Sequence, residues 1–222
     1  MLNKNITFLI AGRKDDVLTS AATEQLKTIG NVVIFEKNRD FIKQFNNTLI
    51  LSFGYTSTID NELLDAATYG GINLHMSLLP NYKGYFPIPW TIIKNEEFAG
   101  YTYHIITDKI DAGDILLQKK FKVGRNTAYE LHSMFISSCI EDILSMLTLF
   151  FEGKRKRQNS GGSYFSNKLP YGGIINKSWS IFKIDRFIRA MNFPSHFGSF
   201  VKVNDYFVEV NNINQYIEAI NV

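Results

Sequence analysis

Four short apolar segments, alternating with helical segments, constrain the fold of this chain more than any other feature. They are five to seven residues long, which is typical of buried strands: residues 6–12, Asn31–Phe35, Thr48–Phe53 and Gly71–His75. Helices are predicted between them at residues 20–29, 41–45 and 59–67. This alternation predicts an α/β fold, in which a Rossmann-like, mostly parallel sheet carries helices on both faces.

The rest of the chain predicts a sheet edge, a long helix and a smaller C-terminal segment. The predicted elements are a helix at 89–95, strands at 100–107 and 115–121, helices at 127–151 and 185–191, and strands at 199–203 and 206–210. The first two of these strands are joined by a polar turn, which indicates an antiparallel pair. Asn204-Asp205 indicates a hairpin turn between the last two. We therefore expect a core of residues 1–153 and a C-terminal α/β-hairpin extension of residues 154–222.

Two polar side chains lie at the end of the fourth predicted strand. Asn73 and His75 are two residues apart, so they project from the same face of a sheet. An amide can bind a carbonyl oxygen and an imidazole can move a proton near neutral pH, which makes them a candidate catalytic pair. The alternative is that both are structural and satisfy backbone groups of the loop. Gly12-Arg13 and Gly54-Tyr55 follow other strands and are expected at the same rim.

Composition limits the partners and the location that we expect. The net charge of +3 is too small to indicate a nucleic-acid partner, and the run Lys154-Arg155-Lys156-Arg157 is expected to be solvated. Cys139 is the single cysteine and lies in an apolar helical pattern, which predicts a buried thiol. No secretion signal is recognised, and Glu141 and Asp142 interrupt an apolar stretch at 140–151 that is too short to span a bilayer. We expect a cytoplasmic protein with no membrane partner.

A longer pattern surrounds the candidate pair. It comprises Asn73-x-His75-x-Ser77-Leu78-Leu79-Pro80-x-Tyr82-Lys83-Gly84, then Pro87, Trp90 and Gly100, then Thr102-x-His104 and Asp111-Ala112-Gly113-Asp114-Ile115. In order and spacing it resembles the folate-dependent formyltransferase family. Weaker similarity continues through Gly162-x-Tyr164, Gly172-Gly173-Ile174 and Ile188-Arg189-Ala190-x-x-Phe193-Pro194, so nearly the whole chain is covered.

The resemblance implies transfer of a formyl group from N10-formyltetrahydrofolate to an amine. It implies Asn73, His75 and Asp111 as catalytic residues, although an Asp in Asp-x-Gly is otherwise a common turn residue. The amide and the imidazole would stabilise an oxyanion, and an imidazole held by the Asp111 carboxylate would accept or relay the proton of the attacking amine. No metal is expected.

The resemblance also implies binding residues. The folate would lie between the Phe53-Gly54-Tyr55 turn and the 109–113 loop, with the candidate set Phe53, Gly54, Tyr55, Leu79, Pro80, Lys109, Ile110, Gly113 and Asp114. The candidates for the acceptor are Arg13, Tyr82, Lys83, Trp90 and His104, the first three for contact with a diphosphate. The alternative for those three is that they are exposed loop residues with no partner.

Three acceptor classes compete within the family. A glycinamide ribonucleotide enzyme would hold a phosphate after the first strand, where this chain has Asp15 and Asp16, and would have Pro in place of Asp114. A methionyl-tRNA enzyme would add a C-terminal RNA-binding domain, whereas about seventy residues follow the long helix here. We therefore expect a nucleotide-linked amino sugar, in the first place dTDP-4-amino-4,6-dideoxyglucose for surface polysaccharide synthesis, and a homodimer formed through the terminal hairpin.

Two alternative functions compete with formyl transfer. One is a catalytically silent module that binds folate or a nucleotide, which the presence of Asn73, His75 and Asp111 disfavours. The other is a dinucleotide-binding oxidoreductase, which would have a G-x-G-x-x-G motif after the first strand. Only Gly12 of such a motif is present.

Overall fold

The computed structural model of the protein describes residues 5–35, 44–55, 59–194 and 196–221. The strands are β1 (Thr7–Ala11), β2 (Asn31–Phe35), β3 (Thr48–Phe53), β4 (Gly71–His75), β5 (Lys83–Gly84), β6 (Phe98–Ile105), β7 (Ile115–Lys122), β8 (Tyr164–Phe165), β9 (Phe200–Val203) and β10 (Tyr206–Glu209). The helices are α1 (Val17–Leu26), α2 (Asn61–Ala66), α3 (Pro87–Ile93), α4 (Ala128–Phe151), α5 (Ile181–Met191) and α6 (Ile213–Ile220). The helix predicted at residues 41–45 falls largely outside the described residues.

Six strands form one sheet in the order β2-β1-β3-β4-β6-β7. The neighbours among β1 to β4 pair in parallel, whereas β6 and β7 continue the sheet in antiparallel register. The predicted mostly parallel sheet and the predicted antiparallel pair are both confirmed. Because β1, β3 and β4 are parallel, their carboxyl ends lie at one edge of the sheet, and His75 ends β4 at that edge.

Alternation along the strands builds a core on each face of the sheet. Phe8 and Ile10 of β1 join the larger core, which includes the buried side chains of α1, α3 and α4. Leu9 and Ala11 point to the other face and join a smaller core with Leu63 of α2. The period of two in side-chain direction therefore gives β1 two buried faces. The prediction of helices on both faces is confirmed.

Helix α4 is held firmly against the sheet. With 24 residues, α4 is the one described helix that is long and apolar enough to cross a membrane. Residues 140–151 are too short to span a bilayer, but this limit does not apply to the whole helix. The Tyr103 hydroxyl on β6 donates to the main-chain oxygen of Cys139 at 2.8 Å. The fully buried stripe of the helix comprises Leu131, Phe135, Cys139, Ile143, Met146 and Leu147. This is the packing of a core helix, and burial raises the pKa of the Cys139 thiol to about 12, which leaves it unreactive.

The segment after α4 returns to the core. Lys156 forms an antiparallel bridge with Ile115 at the start of β7, and β8 pairs in parallel with β5. Helix α5 packs on α3, and its buried Phe187 and Ile188 belong to the larger core. Strands β9 and β10 form the expected antiparallel hairpin. The boundary at residue 153 stays a prediction.

Several element ends lie one to three residues from their predicted positions, and three larger differences from the sequence-based expectations are found. The pairing of β5 with β8 was missed because strands of two residues carry no periodicity. Helix α6, which Asn212 caps through a hydrogen bond from the Gln215 N–H, was also missed. Helix α5 begins at Ile181, before the predicted start at residue 185, with Ser180 as its N-cap.

Candidate active site

Strand β6 places a second polar pair beside Asn73 and His75. In the antiparallel register Asn73 lies opposite His104, and His75 lies opposite Thr102. Residues directly opposite each other project from the same face of a sheet. The four side chains therefore share the face that carries α2, away from α4.

Asp111 reaches these side chains from the loop between β6 and β7. It has a left-handed φ of 49°, which is uncommon for a residue other than glycine. The side-chain amide of Gln158 donates to the main-chain oxygens of Asp111 at 3.0 Å and of Gly113 at 2.7 Å. A Cβ at Gly113 would collide with the main-chain oxygen of Ile105, so this position requires glycine. Sequence analysis missed Gln158, because a contact across 47 residues leaves no local pattern.

The Asp111 carboxylate is the centre of the cluster. Its Oδ2 accepts a hydrogen bond from the Gly84 N–H at 2.8 Å and lies 3.5 Å from Nδ1 of His75. Its Oδ1 lies 3.4 Å from both Nε2 of His104 and Nδ2 of Asn73. Burial acts to raise the pKa of Asp111, but the neighbouring His104 and His75 side chains and the Gly84 N–H outweigh it and hold the pKa below its usual range. The carboxylate is therefore ionised at neutral pH.

The main chain fixes the proton of His75. Its Nε2 lies 2.7 Å from the main-chain oxygen of Tyr82, and since a carbonyl only accepts, Nε2 carries the hydrogen. Burial lowers the pKa of His75, and the negative charge of Asp111 opposes this only in part. His75 is therefore neutral at pH 7, and its unprotonated Nδ1 faces the site. The adjacent carboxylate can stabilise the imidazolium that forms when Nδ1 takes a proton.

From strand β6, His104 orients the Asn73 amide through a hydrogen bond. Its Nδ1 donates to the main-chain oxygen of Ile105 at 2.9 Å, which leaves Nε2 to accept from Nδ2 of Asn73 at 3.1 Å. The sequence placed His104 among the acceptor-binding residues, but the side chain is buried, with Nε2 bonded to the Asn73 amide and 3.4 Å from Oδ1 of Asp111. The site thus combines an oriented amide, a neutral imidazole and a carboxylate.

The described residues contain no group of three or more His, Cys, Asp or Glu side chains arranged to hold a metal ion. The Asp111 carboxylate instead accepts hydrogen bonds from the Gly84 N–H and from the Asn73 amide. That the protein uses no metal stays a prediction.

Comparison with known proteins assigns this cluster to a family. The sequence profile described as formyl transferase matches residues 11–134. GDP-perosamine N-formyltransferase of Brucella melitensis is 34% identical over 183 residues, which are 82% of this chain and 71% of that protein. The chain belongs to the formyl transferase family. The predicted membership in this family is confirmed, and so is the prediction that the protein is a formyl-transferring enzyme.

Solved structures confirm the formyl transferase fold. A 4-N formyltransferase from Francisella tularensis superposes with a TM-score of 0.79 at 19% identity, covering 94% of this chain and 97% of that one. An N-formyltransferase from Helicobacter canadensis, in complex with folinic acid and dTDP-3-aminofucose, superposes with a TM-score of 0.76 at 18% identity, covering 94% and 86%.

Two segments of this formyl transferase were predicted to hold the pterin. Phe53 is buried, Gly54 has a positive φ of 63°, and the Tyr55 hydroxyl is buried without a hydrogen-bond partner among the described residues. On the other side Lys109 and Ile110 are exposed at the tip of the β6–β7 loop. The first segment ends β3 beside the carboxyl end of β4, whereas the β6–β7 loop leaves the sheet beside Gly71, at the amino end of β4. Their role in binding stays a prediction.

Leu79 and Pro80 lie elsewhere on the rim than those two segments. They line a cleft of about 440 Å³ together with residues 154–159, which follow α4. Asp114 lies 3.7 Å from the Arg155 guanidinium rather than facing the cluster. The structure therefore divides the predicted folate residues between two neighbouring sites.

The predicted diphosphate contacts are also separated. Arg13 is exposed, lies 3.4 Å from Asp15, and follows β1, which β3 separates from β4. The Tyr82 hydroxyl donates to Glu96 at 2.6 Å, so Tyr82 serves the site through its main-chain oxygen. Lys83 is partly exposed on β5, with Nζ 3.4 Å from the main-chain oxygen of Gly161.

Trp90, the remaining predicted acceptor residue, lies on α3 beside β8. Its ring stacks on Phe165 with a centroid distance of 4.6 Å and an interplanar angle of 22°. Tyr171 lies 5.5 Å from it on another side. Trp90 therefore belongs to an aromatic group and forms no hydrogen bond or ring contact with Asn73, His75 or Asp111.

Proposed function

We propose that this enzyme transfers the formyl group of N10-formyltetrahydrofolate to the amine of a nucleotide-linked amino sugar. The observation that carries the proposal is the neutral His75, whose Nδ1 faces the ionised Asp111 beside the Asn73 amide. The similarity to a GDP-perosamine N-formyltransferase supports a sugar nucleotide as the acceptor. The Helicobacter canadensis structure with folinic acid and dTDP-3-aminofucose supports both substrate classes.

The segments on either side of β4 fit a folate. The buried Tyr55 hydroxyl lacks a partner among the described residues, and a polar atom of a bound heterocycle would satisfy it. Residues 108–110 are exposed in the β6–β7 loop, where a pterin edge can approach them. Bound there, the folate supplies an electrophilic formyl carbon.

His75 manages the proton of the attacking amine. An amine that adds to the formyl carbon becomes positively charged and must lose a proton. The bond from that carbon to N10 of the folate then breaks, and the leaving nitrogen takes up a proton, so the proton count balances. Nδ1 of the neutral His75 accepts the amine proton directly or through one water, and the Asp111 carboxylate 3.5 Å away stabilises the resulting imidazolium. The fixed Nε2–H bond to Tyr82 keeps the ring in place meanwhile.

Asn73 binds the formyl oxygen. During attack this oxygen gains negative charge, and an amide N–H held in position stabilises that charge. His104 and Asp111 orient the Asn73 nitrogen from two directions, at 3.1 and 3.4 Å. Donation to the oxygen replaces one of these two contacts.

The start of α1 disfavours glycinamide ribonucleotide as the acceptor. Oδ1 of Asp16 already accepts from the N–H groups of Leu18 and Thr19, at 3.0 and 3.1 Å. A phosphate would need those same N–H groups and would meet the carboxylate. The net charge of +3 likewise gives little attraction for a tRNA acceptor.

The nucleotide of the acceptor remains a choice between two candidates. The sequence prediction is dTDP-4-amino-4,6-dideoxyglucose, whereas the relative of Brucella melitensis is named for GDP-perosamine. We propose an amino sugar attached to one of these two nucleoside diphosphates, and a role in surface polysaccharide synthesis.

We further propose a cytoplasmic homodimer that forms through the terminal hairpin. Tyr206 and Phe207 on β10 are 77% and 54% exposed, and Val208 beside them is also exposed. Neighbouring apolar side chains on an exposed strand favour association with a second copy. The single cysteine fits a reducing compartment.

The test is a direct assay of transfer. Purified protein is incubated with N10-formyltetrahydrofolate and with dTDP- or GDP-linked 4-amino-4,6-dideoxyhexoses, and the products are analysed by mass spectrometry. We expect a formylated sugar nucleotide with the wild type and none above background with His75→Ala. If the wild type bound folate but formylated neither sugar, the silent binding module would be the better description.

A further inference from the structure

A second cleft opens beside the catalytic cluster and is lined mainly by aromatic side chains. Its volume is about 820 Å³, and we call it the aromatic cleft, defined by Trp90, Tyr164, Phe165, Lys168 and Tyr171. None of these residues contacts Asn73, His75 or Asp111 in the structure. The proton transfer and the stabilisation of the formyl oxygen proposed for those three residues therefore do not explain why the aromatic cleft is present.

The floor of the aromatic cleft is a rigid stack of rings. Phe165 lies between Trp90, at 4.6 Å and 22°, and Tyr82, at 5.6 Å and 7°. Tyr164 and Tyr171 are 55% and 46% exposed at its sides. Flat rings held in place by other rings, with further rings exposed around them, are suited to stack on a planar heterocycle.

Two further observations indicate that this cleft takes a ligand. Nε1 of Trp90 is buried and has no hydrogen-bond acceptor among the described residues. A polar atom of a bound ligand would satisfy this donor. Tyr171 is held at a left-handed φ of 48°, a strained conformation for tyrosine. Lys168 adds a positive charge at the rim.

The aromatic cleft is joined to the catalytic cluster by the pairing of β5 with β8. In that register Gly84 lies opposite Phe165. The Gly84 N–H binds Oδ2 of Asp111 at 2.8 Å, and Phe165 forms the floor of the cleft. The paired strands β5 and β8 therefore separate a molecule in the cleft from the Asp111 carboxylate.

We propose that the aromatic cleft binds the base of the acceptor nucleotide and that Lys168 contacts its diphosphate. This rests on the proposed function, since the sugar amine must reach His75 while the base is stacked in the cleft. The base lies against Tyr164 and Tyr171, and the diphosphate spans the rim toward β5.

Intrinsic fluorescence can test the proposal, because both tryptophans of the chain lie at this cleft. Trp90 lines it, and Trp179 lies 4.8 Å from the Tyr171 ring. Wild type and Trp179→Phe are titrated with GDP, dTDP and UDP, and with inorganic pyrophosphate as a diphosphate without a base. We expect saturable quenching by at least one nucleotide, and binding of pyrophosphate at least about tenfold weaker. No binding of any nucleotide, or equal binding of pyrophosphate, would overturn the proposal.

Variants then locate the binding. Tyr164→Ala and Tyr171→Ala are each expected to weaken the nucleotide Kd at least about fivefold, the lower end for loss of one stacking contact. Lys168→Ala should weaken binding of the nucleoside diphosphate more than that of the nucleoside. The matched control is Phe182→Ala on α5, a 75% exposed aromatic residue outside the cleft, which should bind as the wild type does. Wild-type affinity in both tyrosine variants would refute the cleft as the base site.

The kinetics of formyl transfer distinguish a failure of the cleft proposal from a failure of the proposed function. Tyr171→Ala should raise the KM for the sugar nucleotide and leave kcat nearly unchanged. An unchanged KM in both tyrosine variants would refute the cleft while the formyl transfer stands. Nucleotide binding in the cleft without transfer to any amino sugar would support the cleft and refute the proposed function.

Discussion

The side-chain amide of Gln158 donates to the main-chain oxygen of Asp111 at 3.0 Å. Through this bond the segment after α4 holds the loop that carries the Asp111 carboxylate. The second bond of the same amide, to the Gly113 oxygen at 2.7 Å, grips the loop two residues further on. The uncommon left-handed conformation of Asp111 is therefore held from outside the loop.

Replacing Gln158 by Leu should lower activity and stability together. Two main-chain oxygens lose their donor, at a cost of about 1–3 kcal/mol each when buried, and a displaced Asp111 should lower kcat roughly 10- to 100-fold. Thermal melting and steady-state kinetics measure the two effects.

The matched control for Gln158 is Gln25→Leu. Gln25 on α1 donates to the main-chain oxygen of Ile140 at 3.0 Å, far along the chain from the site. That variant should lose stability and keep kcat. An unaltered kcat in Gln158→Leu would show that its two bonds do not position the carboxylate.

Removing either side chain of the β4 pair should abolish most turnover. We expect His75→Ala and Asn73→Ala to lower kcat by about 10²- to 10⁴-fold, since one removes the proton acceptor and the other the donor to the formyl oxygen. The circular dichroism spectrum should stay that of the wild type. His132→Ala is the control, because His132 on α4 is also largely buried but packs against Phe193. Near-normal turnover in either β4 variant would place the chemistry elsewhere.

Activity should depend on the neutral form of His75. Burial lowers its pKa below 6.5, so kcat/KM should rise with pH along an acid limb centred below 6.5 and then level off. The Asp111 charge acts to raise that pKa. Asp111→Asn should therefore move the limb to lower pH and also reduce the plateau, because the imidazolium loses its counter-charge. The pH profile of kcat/KM and the NMR titration of His75 measure both effects, and a limb that moved to higher pH would contradict the assignment.

A positive charge on the terminal hairpin should prevent dimer formation. Tyr206→Lys and Phe207→Lys place like charges opposite each other in a symmetric interface. We expect sedimentation to show a dimer for the wild type and a monomer for these variants. Phe182→Lys, which charges an exposed position on α5, should leave the dimer intact. A wild-type monomer at micromolar concentration would refute the interface.

The sheet and half of the site were predictable because their signals are local. Buried strands appear as apolar runs, and the shared direction of Asn73 and His75 follows from the period of two in any extended chain. Asp111 was different: only the resemblance to a family indicated it, because its approach to β4 depends on the course of β6 and on a left-handed backbone.

The remaining parts of the site depend on contacts between distant segments. Gln158 lies in a polar stretch without periodicity, and its role exists only where the chain after α4 passes the β6–β7 loop. Tyr82 was predicted to contact a diphosphate, yet its hydroxyl bonds to Glu96 and its main-chain oxygen bonds to His75. A short motif indicates which residue is important but not which of its atoms is used.

The two-residue ladder of β5 and β8 connects the Asp111 carboxylate to the cleft proposed for the acceptor nucleotide. Gly84 binds the catalytic carboxylate, and a side chain added there would strike the main chain of Phe165, which carries the floor of the aromatic cleft. A backbone change that reshapes the cleft for a new nucleotide therefore also displaces Asp111 and lowers the rate. We therefore expect exchange of the exposed rings Tyr164 and Tyr171 to change the preferred nucleotide at a smaller cost in rate than a change in the ladder beneath them.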